Sequence, residues 1–202
     1  MPVTYVEIGC WTGDSACYVA EHVLTNKHAK GFGIDPYTAI SKLPQEEMDE
    51  VCIIARQNMA ATGFRNWTWV RQPSISALSS VKFGPIDVLY IDGLHNALNA
   101  TLDFALAWPH LVEGAGVIFD DYGLGMRRRI AHVPEAVGAI QLIWGNLLEP
   151  WGEDHIGKQA YFKVRAKEID ESWTRNQRKY QDAHDYVRNR LTGTSREGGN
   201  AL

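Results

Sequence analysis

Three cysteines are all that the 202 residues contain, and Cys10, Cys17 and Cys52 form neither an even set nor a C-x-x-C pair. That count and spacing argue against a disulfide frame or a zinc site, and the thiols read as reduced groups of a cytoplasmic protein. Long apolar runs are also missing. None approaches a membrane span, and residues 1–20 lack the charged, apolar and small-residue blocks of a secretory leader. There is no excess of positive charge either. The 20 Lys and Arg against 24 Asp and Glu leave a net charge of −4, which gives no support to nucleic-acid or anionic-membrane partners.

What is present is an ordinary globular composition, 45% hydrophobic and 22% charged, in a chain long enough to bury a core without staples. Residues 1–190 read as one domain, without internal repeat or linker, and residues 191–202 as a frayed tail. Short apolar runs alternate with helical periods. Strands are expected at Val3 to Ile8, Gly31 to Ile34, Trp67 to Arg71, Asp87 to Ile91 and Val117 to Phe119. A first helix carries Ala16, Val19, Ala20, Val23 and Leu24, with Asp14 or Ser15 as its cap. Others are expected over 44–60, Ala97 to Leu111 and Pro134 to Leu148, followed by a strand at Gln159 to Val164 and an exposed helix at Glu168 to Arg190. Glu113 to Gly116 reads as a turn. The alternation predicts a doubly wound α/β domain with a mostly parallel sheet.

Open α/β sheets bind ligands at the carboxyl ends of their strands, and three features of this sequence fall there. The first is the loop Glu7-x-Gly9-x-Trp11-x-Gly13 between a strand and a helix, the layout of a nucleotide-binding turn. The dinucleotide fingerprint requires G-x-G-x-x-G, but Trp11 occupies its second glycine position and Asp14 its third. Those side chains obstruct a pyrophosphate, and Asp14 repels one, so a ligand without phosphates fits better. A plain tight turn is the alternative. The second feature is Asp35, about 20 residues or more past the loop, where a ribose-binding acid sits; alone it is equally a turn starter before Pro36. Together they point to an adenosine ligand lacking a pyrophosphate, namely S-adenosylmethionine.

The third feature is a set of acids, Asp92 after one strand and Asp120-Asp121 after another. Side chains alternate along a strand, so Asp120 and Asp121 converge only where the chain leaves the sheet, as Tyr122-Gly123 suggests. Gathered carboxylates repel unless protonated or bridged by a cation, and all-oxygen donors suit Mg²⁺. The alternative is that these acids only cap loops and helices. His95, three residues after Asp92, is the candidate general base, because an imidazole titrates near neutral pH; otherwise it is a satisfied polar residue at a helix start. Arg127 to Arg129 reads as a solvated turn, and Trp144, Trp151 and Trp173 as packing residues.

Taken together, Tyr5-Val-Glu-Ile-Gly-Cys-Trp-Thr-Gly-Asp-Ser15, Gly33-Ile-Asp35, Ile91-Asp-Gly-Leu-His95 and Phe119-Asp-Asp-Tyr122 resemble class I S-adenosylmethionine-dependent methyltransferases. The sequence is most similar to the branch with metal-dependent macrolide and sugar O-methyltransferases and cephalosporin-hydroxylase-like proteins, and more distantly to catechol O-methyltransferase. The resemblance implies a Rossmann-like, seven-stranded sheet ending in an antiparallel hairpin. It implies cofactor contacts from Glu7, Gly9, Trp11, Gly13, Ser15, Asp35, Ser74 and Asp92, with Ser74 on the adenine side. It further implies Mg²⁺ held by Asp92, Asp120 and Asp121, with His95 as the base toward a hydroxylated small molecule. Members of this branch carry helices before the first strand that cover the substrate or build a homo-oligomer; this chain opens on the strand, which leaves the acceptor pocket unassigned. Two other readings stand beside it: a nicotinamide-dependent oxidoreductase, disfavoured by Trp11 and Asp14, and a non-catalytic binder that keeps the cofactor fold.

Overall fold

The apolar runs become the strands of one sheet because each is bounded by a residue that stops it, and most stops fall at a single edge. The computed structural model describes residues 1–39, 43–123, 132–156 and 159–165. Its strands are β1 (Thr4–Ile8), β2 (Lys30–Ile34), β3 (Trp67–Val70), β4 (Ile86–Ile91), β5 (Leu111–Phe119), β6 (Leu148–Ile156) and β7 (Gln159–Val164), in the order β3-β2-β1-β4-β5-β7-β6. β1 to β5 run parallel, while β7 is antiparallel to β5 and β6 antiparallel to β7. This is the expected doubly wound, mostly parallel sheet with an antiparallel end.

Register decides where the site lies. Ile34, Ile8, Ile91 and Phe119 are neighbours across β2, β1, β4 and β5. The next residue of each strand, Asp35, Gly9, Asp92 and Asp120, therefore forms one rank, with adjacent strands about 4.8 Å apart. Pairing reaches into that rank: the N–H groups of Gly9, Asp92 and Asp120 donate to Ile34, Ile8 and Ile91 carbonyls at 2.9, 2.8 and 3.0 Å.

Helices cover both faces. α1 (Asp14–His22) and α2 (Gln45–Ala61) lie on one side, where Ala16, Ala20 and Met59 pack near Trp67 and Trp69. Those tryptophans of β3 lie across Gly31 and Gly33 of β2, where any Cβ would fall within 2.1 and 2.8 Å of a ring carbon. On the other side α3 (Ser74–Ser80), α4 (Ala97–Ala107) and α5 (Val133–Trp144) close over the main core of Val6, Leu89, Val117, Phe104 and Ile140. Burying each such side chain contributes about 1.5–3 kcal/mol.

Several boundaries differ from expectation. Gly13, in the left-handed conformation, is the N-cap of α1, and neither Asp14 nor Ser15 caps it. Ser15 is drawn inward by a buried acid instead. Glu113 to Gly116 is not a turn but lies within β5, which is interrupted by a bulge between the pairs Ile86–Leu111 and Val88–Gly116. α4 ends at Ala107, and Trp108–His110 with its proline tightens into a 3₁₀ turn. α5 ends at Trp144, and the residues expected as its last turn lead into β6. Trp144 packs edge-on against Phe104 at 5.2 Å, whereas Trp151 stays 55% exposed with its ring over Gly116. Among the described residues no helix is long and apolar enough to cross a membrane. The helix expected at 168–190, the tail at 191–202, Arg127 to Arg129 and Trp173 lie outside the described residues.

Candidate active site

The β1–α1 loop is built from left-handed residues: Gly9 (φ +83°), Trp11 (φ +48°) and Gly13 (φ +82°). Gly9 has no substitute, because a Cβ there would sit 2.0 Å from the carbonyl oxygen of Asp92. Trp11 pays a conformational penalty of about 1–2 kcal/mol for its φ, yet its side chain is 47% exposed. What holds it is Asp35. Asp35 Oδ2 accepts the backbone N–H groups of Cys10 (3.0 Å) and Trp11 (3.1 Å), and Oδ1 accepts that of Tyr37 (2.8 Å). Tyr37 in turn donates its hydroxyl to the Trp11 carbonyl at 3.1 Å. A dinucleotide loop aims such N–H groups at a pyrophosphate; here a carboxylate already occupies two of them. That adds a structural reason against a nicotinamide cofactor.

Beneath the loop lies Glu7, fully buried between Tyr5 and Ser15, whose hydroxyls donate to its two oxygens at 2.7 and 2.5 Å. Burial raises its pKa to about 7, with a further push from Asp35 and an opposing pull from the two hydrogen bonds. Glu7 and Ser15 are therefore partners of each other, beneath the loop. Ser74 opens α3 and hydrogen-bonds the carboxyl of Asp103 on α4. Asp103 is 1% exposed, and burial lifts its pKa to about 6 against that bond.

The second half of the site is Asp92, His95 and Asp121. One ligand atom from each lies within 4.8 Å of the others, and among the described residues this is the group that could share a cation. His95 Nδ1 is 3.1 Å from Asp121 Oδ2. His95 precedes α4, whose N-cap Asn96 accepts the Asn99 N–H at 2.9 Å, and its carbonyl accepts the His132 N–H at 2.8 Å. Burial, then the charges of Asp120 and Asp121, raise the Asp92 pKa to about 8. Leu94 and Leu98, the residue before His95 and the third after it, are 66% and 69% exposed.

Asp120 faces another way. Its Oδ2 accepts the Tyr90 hydroxyl at 2.8 Å, and its Oδ1 accepts the N–H of Asp121 at 2.9 Å. Asp121 adopts φ +56°, so the chain leaves the sheet there, as the alternation argument required. Tyr90, Gln159 and Asp103 are site-proximal residues that patterning did not single out. Tyr90 sits in an apolar run, Gln159 opens a strand, and Asp103 falls on a helix face otherwise made of Ala100, Phe104 and Ala107.

The model of a protein family described as Methyltransferase domain matches residues 6–122, more than half of the chain. The chain belongs to that methyltransferase family. No curated protein matches it. Among solved structures, this methyltransferase resembles the O-methyltransferase NovP, with 17% identity, 82% of this chain and 73% of that one covered, and a TM-score of 0.63. It also resembles cofactor-bound Rv0187 from MTB, with 18% identity, 81% and 73% covered, and a TM-score of 0.60. A third is the O-methyltransferase TomG from Streptomyces achromogenes in complex with SAM, at 15% identity, 81% and 73% covered, and a TM-score of 0.58. At these identities the structures establish a shared fold, and the family match establishes an S-adenosylmethionine-dependent methyltransferase.

Proposed function

We propose that this methyltransferase moves a methyl group from S-adenosylmethionine to a hydroxyl of a small molecule or sugar, aided by a divalent cation. The observation that carries the reading is the single rank of residues at one sheet edge. It sets the Asp35-closed loop beside Asp92, with His95 and Asp121 next to it. Asp14, Asp35, Asp120 and Asp121 gather at this edge, a field suited to a cationic cofactor and hostile to phosphates. The names of NovP and TomG as O-methyltransferases agree with this assignment.

For the cation, Asp92 and Asp121 offer carboxylate oxygens within 4.8 Å of each other, which suits a Mg²⁺ that keeps waters in its remaining positions. Asp120 stands behind them, with both oxygens engaged by Tyr90 and Asp121. A bound cation supplies Lewis acidity that lowers the pKa of an acceptor hydroxyl. Asp121 holds the proton of His95 at Nδ1, which leaves the Nε2 lone pair to receive the hydroxyl proton. Leu94 and Leu98 present an apolar margin against which the acceptor carbon skeleton can rest. The loop and Asp35 place the cofactor, and alignment of the two reactants supplies much of the rate gain.

The reading is tested by methyl transfer from S-adenosylmethionine to a panel of hydroxylated acceptors, with Mg²⁺ and with a chelator. Transfer is expected to stop on chelation. His95→Ala should lower turnover by about 100-fold or more and leave cofactor affinity unchanged. Transfer that survives chelation would remove the cation from the account, and a fully active His95→Ala would remove the base.

A further inference from the structure

A chain of hydrogen bonds runs across the sheet and ends at the His95 pair. Tyr161 on β7 donates its hydroxyl to Gln159 Oε1. Gln159 Nε2 donates to the Tyr90 hydroxyl on β4 at 3.0 Å, and Tyr90 donates to Asp120 Oδ2 at 2.8 Å. All three donors point toward Asp120. With its own proton committed to Asp120, the Tyr90 oxygen can only accept from Gln159, and with Tyr161 donating on the far side the amide has one orientation.

Beyond Asp120 the connection passes through the backbone. Asp120 Oδ1 accepts the N–H of Asp121 at 2.9 Å, beside the left-handed φ of +56° that Asp121 adopts. Aspartate enters that region more readily than most side chains, and here its N–H is held by Asp120 Oδ1. The conformation aims the Asp121 carboxylate at His95 Nδ1, 3.1 Å away. If the Asp120 carboxylate were free to rotate, the Asp121 N–H would lose its partner at this turn.

We propose that Tyr90, backed by Gln159, is a positioning residue: it locks Asp120, which locks the Asp121 turn, which fixes the tautomer and direction of His95. The inference rests on the role of His95 as the base, but its structural core can be measured without an acceptor. Groups that orient a functional side chain from behind act in the same manner in histidine–carboxylate metal sites, where losing them typically costs about 10–100-fold in affinity or activity.

The test is ¹⁵N NMR of the histidine rings in the full chain, with the His95 signals assigned by their loss in His95→Asn. Wild type is expected to show His95 protonated at Nδ1, and Asp121→Asn to shift it toward the Nε2-protonated form. Tyr90→Phe keeps the ring and its packing, and should move His95 most of the way to the Asp121→Asn position. Calorimetric affinity for S-adenosylmethionine should change far less in Tyr90→Phe than the His95 signals do, because the hydroxyl removed is the one donated to Asp120. Wild-type His95 signals in Tyr90→Phe, alongside shifted ones in Asp121→Asn, would overturn the proposal. So would an Asp121→Asn variant that leaves His95 unmoved. A wild-type chain that bound no S-adenosylmethionine would instead remove the proposed function and leave the tautomer result standing.

Discussion

Asp35 and Trp11 are joined by a hydrogen bond of 3.1 Å from the Trp11 N–H to Asp35 Oδ2, and that contact holds a tryptophan in a left-handed conformation at the mouth of the site. The acid at the end of β2 is thus a structural clamp on the loop as well as a ligand candidate. Its removal leaves the N–H groups of Cys10, Trp11 and Tyr37 without partners.

Asp35→Ala is therefore expected to destabilise the fold by about 1.5–3 kcal/mol, the range for hydrogen bonds to a charged group, and to weaken S-adenosylmethionine binding as the loop loses its shape. Urea unfolding and calorimetry on the same variant check the two effects. An Asp35→Ala variant with native stability and weakened binding would show that Asp35 acts on the ligand alone.

Gly9 is constrained twice, by its φ and by the Asp92 carbonyl 2.0 Å from where a Cβ would be. Gly9→Ala should cost about 2–4 kcal/mol, combining left-handed strain with overpacking. Gly63 makes the control, since it has φ +78° with nothing within 4 Å of an added Cβ. Gly63→Ala should lose only the strain, about 1–2 kcal/mol. Equal losses at the two positions in urea unfolding would refute the close approach of β1 and β4 at this point.

The pH dependence of stability carries a signature of Glu7. Its folded pKa of about 7 lies above the ordinary glutamate value, about 4.3 in an unfolded chain. The folded state therefore binds the proton more tightly. This contribution is fully present below the unfolded pKa and is lost as pH rises through about 7. Glu7→Gln removes the titration, so the variant should lose less stability than wild type between about pH 4 and pH 8. Parallel curves for the two proteins would mean that Glu7 is not a buried, proton-binding acid.

Much of the site was legible because each parallel strand announces its own end. Gly9, Asp35-Pro36, Asp92-Gly93 and Asp120-Asp121 are breakers after apolar runs, and the parallel register then lines them up. Other parts had no such signal. α3 is Ser-Ile-Ser-Ala-Leu-Ser-Ser, too short and too rich in serine to show a helical period. β6 contains Pro150, which reads as a strand breaker but is tolerated because β6 is the outermost strand. The bulge in β5 looked like a turn because its glycines are the same residues a turn would use. Tyr90 read as one apolar residue of a buried strand, and only the fold shows its hydroxyl reaching Asp120. Asp120 and Asp121 were expected to act alike, and a left-handed backbone separates their directions.

The central claim is that the loop closed by Asp35 receives S-adenosylmethionine. Titration calorimetry with S-adenosylmethionine and its demethylated product, with and without Mg²⁺, and with NADH as comparison, tests it most directly. The account predicts saturable binding of both sulfur nucleosides and none of NADH. Failure of both nucleosides to bind, or binding of NADH in their place, would contradict it.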